Sequence, residues 1–129
     1  KTSTPHIVPL APQVMAILKD LHDLTGHQEW VFPSMRQRGE PMGKTTILAA
    51  LRAMGITGEE MTPHGFRAMA STILHEQGYN WDWIERQLAH AERNGVRASY
   101  NHAEYLPERR KMMQTWSDYL DKLKKAAAA

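Results

Sequence analysis

Thr62-Pro63-His64-Gly65-Phe66-Arg67 is the stretch on which the fold turns, and its reading extends through Leu88-Ala89-His90 to Val96-Arg97-Ala98-Ser99-Tyr100. Threonine before proline is a helix start, because the hydroxyl accepts from an unpaired backbone N–H and proline fits the first turn. The spacing predicts a helix from there to Gln77, ended by Gly78, with Phe66, Met69, Ala70, Ile73 and Gln77 on a core-facing side. His64 and Arg67 lie beside that face, three positions apart, so imidazole and guanidinium can converge on one anion. The N-terminal turn of a helix already favours a phosphate there. Taken alone, each residue also has a plainer reading. His64 suits an N-terminal helix histidine and Arg67 a surface charge. His90 suits a structural histidine at a helix end, and Tyr100 a buried ring with an exposed hydroxyl.

Working outward, Asn80 caps a fourth helix over Trp81 to Leu88, in which Trp81 and Trp83 are two apart and cannot share a face. Upstream, Thr45 to Met54 forms a helix through Ile47, Leu48 and Leu51 that Gly55 ends as a left-handed cap. Before it, Pro12 opens a helix whose apolar residues Val14, Ile17, Leu18, Leu21 and Leu24 recur at helical spacing up to Gly26. Trp30-Val31-Phe32-Pro33 reads as a brief strand-like turn. Ser34 to Gly43 reads as a polar loop carrying Arg36 and Arg38, with Lys44 next to it. His6-Ile7-Val8-Pro9-Leu10 reads as a short strand, the second half of a hairpin whose first half would precede Lys1. Downstream, Leu106-Pro107 opens a helix reaching about Lys124, with Met112, Met113, Trp116, Tyr119, Leu120 and Leu123 on one stripe that suits either its own core or a neighbouring protomer. Residues 126–129 are low-complexity alanine and read as a disordered tail. The predicted order is one strand followed by five or six helices: a mainly α fold in a compact helical domain.

With 129 residues the chain has the size of one folded unit. It contains no apolar run of the roughly 20 residues a membrane span needs. The absence of cysteine excludes disulfides and thiolate chemistry. A net charge of +2 and a pI of 9.0 tilt the surface toward anions. Seven histidines invite a metal hydrolase, yet there is no His-Glu-x-x-His, and His22, His27 and His75 fall on unrelated elements.

In combination, His64-Gly65-Phe66-Arg67, Leu88-Ala89-His90 and Tyr100 ten positions later resemble the catalytic signature of the tyrosine recombinases. Lys1-Thr2-Ser3 leading into Ile7-Val8-Pro9-Leu10 is similar to that family's β-hairpin, whose lysine sits at the turn. The run from Asn101 to Gln114, with Tyr105-Leu106-Pro107-Glu108-Arg109-Arg110-Lys111-Met112-Met113, resembles the integrases of prophages and genomic islands. The resemblance implies that residues 1–125 are part of a C-terminal catalytic domain. In it Tyr100 attacks the scissile DNA phosphate to form a 3′-phosphotyrosyl link, and Arg67 neutralises the phosphate oxygens. His64 moves the tyrosine proton, His90 hydrogen-bonds a non-bridging oxygen, and Lys1 protonates the leaving 5′-hydroxyl. It further implies a double-stranded DNA attachment site as partner, a homotetramer on DNA, a bacterial cytoplasmic setting at the nucleoid and no membrane. No cofactor is needed, because the phosphotyrosine conserves the bond energy.

The physical demands fit this cast. A phenol with a free pKa of about 10 needs nearby positive charge or a base to become a nucleophile, and arginine's planar fork clamps a phosphate. Phosphate contacts are expected from Arg36, Arg38 and Lys44 in the loop and from Arg93 and Arg97 near the tyrosine. Two departures stand out. The family's further catalytic arginine and its core-binding domain would precede residue 1, so this fragment alone is expected to recombine nothing. Ala89 stands where glycine is common, and is expected to cost one methyl. The competing function is a non-catalytic DNA-binding or regulatory helical module, which would have no use for the tyrosine.

Overall fold

The computed structural model describes residues 5–90 and 104–129. Five helices are seen among them: α1 (Pro12–Thr25), α2 (Thr46–Ala53), α3 (Pro63–Glu76), α4 (Trp81–Gln87) and α5 (Leu106–Ala127). The fold is mainly helical, as expected. The chain divides into two compact units, one made of Lys1–Pro12 with Ala70–Ala129 and the other of Gln13–Met69.

In the first unit, Leu74 of α3, Ile84 of α4 and Met112 of α5 form a buried core, against which Tyr79, Trp83, Leu88, Met113 and Trp116 pack. Ile84 and Met112 are fully buried; each contributes about 1.5–3 kcal/mol from removal of apolar surface from water. Leu74 lies about 80° round the helix from Phe66 at 100° per residue, so the core face of α3 is rotated from the predicted one. Phe66 itself remains 43% exposed. The tryptophans of α4 separate as their spacing requires: Trp83 joins the core, whereas Trp81 stays exposed with its ring 4.7 Å from that of His75. On α5 the Trp116 and Tyr119 rings stack at 5.8 Å, while Leu120 and Leu123 remain exposed. The helix continues through Lys124 and Lys125 into the alanines as far as Ala127, residues with the highest helix propensity.

The helix ends follow their local signals. Asn80 Oδ1 accepts from the Asp82 N–H at 2.8 Å. Gly55 and Gly78, at φ 84° and 82°, close α2 and α3 with paired backbone bonds: Ile56 N–H to Leu51 O at 3.0 Å, and Tyr79 N–H to Leu74 O at 3.1 Å. Residues 5–10 differ from expectation, since they form no strand. A single strand has no ladder without a neighbour, and this segment is held by side chains instead. The His6 ring Nε2 lies 3.3 Å from the Gln87 carbonyl oxygen, and Arg109 Nη2 donates to Ile7 O at 2.6 Å.

Arg109 is 0% exposed. Its Nε donates to Gln87 Oε1 at 3.0 Å and its Nη1 to the Glu104 carbonyl at 3.0 Å, with Glu104 Oε2 3.6 Å away. Arg86 pairs with the other oxygen of the same carboxylate. Burial, and then the charge of Arg86, push the Arg109 guanidinium below its ordinary pKa.

In the second unit, α1 buries no residue; Ile17 and Leu24 of the predicted apolar face are 65% and 71% exposed. The segment after it is more ordered than a solvated loop. Pro33 and Pro41 form an antiparallel bridge, flanked by Ser34 N–H to Glu40 O and Met42 N–H to Phe32 O, both at 2.8 Å. Trp30 Nε1 donates to Gly39 O at 3.0 Å across it. The strand-like turn read at Trp30 to Pro33 thus becomes one arm of a small knot.

Candidate functional site

His64 and Arg67 occupy the start of α3. Thr62 Oγ1 accepts from the Gly65 N–H at 3.1 Å, so the threonine caps the helix as its position predicts. A Cβ on Gly65 would stand 2.8 Å from Met61 Sδ; glycine lets that thioether lie against the turn between the two functional candidates. The approach to the helix is also braced. Arg52 of α2 donates to the carbonyls of Ile56 and Met61, the latter at 3.3 Å. Thr57 and Glu60 cap each other reciprocally, Glu60 Oε2 accepting from the Thr57 N–H at 2.7 Å and Thr57 Oγ1 from the Glu60 N–H at 3.3 Å. Those bonds from Thr57, with the charge of Arg52 in support, hold the Glu60 carboxyl below its ordinary pKa. His64 is exposed and Arg67 half-buried.

His90 follows α4 in the first unit. The helix closes through Ala89, at φ 50°, with Ala89 N–H to Arg86 O and His90 N–H to Glu85 O, both at 3.1 Å. This is the glycine-type closure of α2 and α3 made with alanine, so the expectation of one extra methyl is corrected. The left-handed conformation costs a non-glycine residue roughly 1–2 kcal/mol. Ala89→Gly is expected to stabilise the fold by about 0.5–1 kcal/mol after the greater freedom of glycine in the unfolded chain is offset. An unchanged or lower urea midpoint would refute that strain.

The turn brings the His90 ring back over the last turn of α4, where Nδ1 lies 2.8 Å from Glu85 Oε2. Glu85 had no distinguishing mark in the sequence. Five residues is one more than the usual helical pairing distance, and only the left-handed turn at Ala89 closes the gap.

His64 and Arg67 thus share one helix start and, separately, His90 contacts Glu85. Lys1, Tyr100, Arg93 and Arg97 lie outside the described residues. Arg36, Arg38 and Lys44 are exposed; Ser34 Oγ accepts from the N–H groups of Arg36 and Gln37 at 3.2 and 3.1 Å, which shapes the turn that carries the first two. No group of three or more His, Asp or Glu side chains able to hold a metal is found among the described residues. No helix there is long and apolar enough to cross a membrane.

Comparison with known proteins adds to this geometry. The profile of the phage integrase family matches residues 1–106. The integrase of Enterobacteria phage P4 is 49% identical over 124 residues, which cover 94% of this chain and 28% of that protein. Prophage integrase IntA of Escherichia coli K12 is 43% identical over 118 residues, covering 92% of this chain and 28% of the relative. The integrase of Shigella phage Sf6 is 42% identical over 117 residues, covering 90% and 30%. The chain therefore spans less than a third of the length of these relatives. No solved structure matches it significantly. With the family profile covering most of its length, the chain belongs to the phage integrase family.

Proposed function

We propose that this chain is the catalytic part of a longer site-specific recombinase that cuts and rejoins double-stranded DNA. The observation that carries the reading is the extent of the family match, which takes in Lys1, His64, Arg67, His90 and Tyr100 within one span. The Tyr100 oxygen attacks the scissile phosphorus and its proton passes to His64. The bond from phosphorus to the 5′-oxygen breaks, and Lys1 supplies the proton that makes the leaving group a hydroxyl. Arg67 and His90 hold the non-bridging oxygens, where charge accumulates in the transition state. Rejoining reverses these steps. Arg36, Arg38, Lys44, Arg93 and Arg97 contact backbone phosphates, which sets register and salt dependence more than sequence choice. Four copies on paired attachment sites complete an exchange.

The site's local chemistry supports this assignment: a histidine and an arginine share a helix N-terminus, and a second histidine is held by a carboxylate. The test uses the full-length protein and a nicked duplex from which the cut 5′ fragment diffuses away. In EDTA, a protein–DNA adduct is expected that survives boiling in detergent and is removed by protease. Binding of the duplex with no adduct would overturn the reading in favour of a non-catalytic DNA-binding module.

A further inference from the structure

We propose that Glu85 is the positioning residue of His90. The inference rests on the role proposed above for His90, and it adds a carboxylate that neither the motif nor the spacing identified.

Residue 85 holds residue 90 twice, by the backbone bond from His90 N–H to Glu85 O at 3.1 Å and by the side-chain contact of Glu85 Oε2 with His90 Nδ1 at 2.8 Å. The second bond fixes more than place. An ionised carboxylate only accepts, so Nδ1 must carry a proton. In the role proposed for His90, the opposite ring nitrogen, Nε2, donates to a non-bridging oxygen, so the Glu85 contact sets which way the ring faces. The backbone at Ala89 is held at φ 50° against its own preference, and the His90–Glu85 contact depends on that turn. Strain of this kind is retained where the surrounding structure over-determines it.

Glu85 is half-buried at the end of α4, away from the Leu74, Ile84 and Met112 core, so its replacement leaves the main packing in place. In the full-length protein, Glu85→Ala is expected to slow cleavage of the nicked duplex about 10- to 100-fold with DNA binding unchanged, by analogy with the loss when the outer partner of a metal-bound histidine is removed. Glu85→Gln, whose amide oxygen still accepts from Nδ1–H, should recover most of the loss. The double variant Glu85→Ala with His90→Ala should be no slower than His90→Ala alone, because a residue acting through another has nothing left to act on. Nitrogen NMR of labelled histidine should show His90 Nδ1 protonated in the parent protein and the neutral ring shifting to Nε2–H in Glu85→Ala.

Cleavage by Glu85→Ala within twofold of the parent, when His90→Ala is at least tenfold slower, overturns the inference and leaves the proposed function standing. Additive losses in the double variant also overturn it, since Glu85 would then act on something other than His90. Full cleavage by His90→Ala is a different failure, because it removes the role on which the inference rests.

Discussion

Tyr100→Phe should reduce adduct formation on the nicked duplex to background while DNA binding stays at the parental level. The substitution deletes one hydroxyl and keeps the apolar ring, so on the proposed mechanism it removes the attacking oxygen and little else. Gel analysis after boiling in detergent, with filter binding on the same samples, separates the two effects. An adduct that persists in the phenylalanine variant would assign the attack to another residue and leave Tyr100 with a structural role alone.

Arg109→Ala is expected to destabilise the fold by about 3–5 kcal/mol, the range for breaking a buried charged network by removing one partner. The loss is large because one guanidinium serves three acceptors on three segments: Ile7 O, Gln87 Oε1 and Glu104 O. Its removal takes that donor from all three oxygens at once, and leaves Arg86 alone to offset the Glu104 carboxylate. A folded domain of this size has a total stability of about 5–15 kcal/mol, so the variant should be marginal at 37 °C. Arg109→Lys should recover only part of the loss, because an ammonium cannot span three acceptors arranged for a planar fork. Urea denaturation followed by tryptophan fluorescence measures both, and a loss below about 1 kcal/mol for the alanine variant would show that the network contributes little.

The contrast between these residues explains how far the sequence could be read. Helix limits rest on local chemistry, and Thr62, Pro63, Gly55, Gly78 and Asn80 do what their types predict. The choice of buried face is a tertiary matter. Phe66 is the larger apolar group, but Leu74 is the one that meets Ile84 and Met112. Arg109 sits in a charged run, Glu108-Arg109-Arg110-Lys111, where nothing local separates the buried cation from its exposed neighbours. Motif order singles out His64, Arg67 and His90 as candidates, whereas nothing in the sequence singles out Glu85, because its contact with His90 depends on a backbone angle at Ala89 that the residue type argues against. The strand expected at His6 to Leu10 failed for a related reason. β-branched residues favour an extended backbone, but a ladder needs a second chain segment that these residues do not carry with them.

The first unit is assembled from two separate stretches of sequence, with Gln13–Met69 falling between them. The bond from Arg109 to Ile7 joins residues 102 positions apart. A ribosome adding about 5–20 residues per second needs roughly 5–20 s to travel that distance. Throughout that interval Ile7 has emerged and its guanidinium partner has not been made. The first unit therefore cannot close before α5 has been made, and the segment around Ile7 lacks its anchor for the whole of that interval.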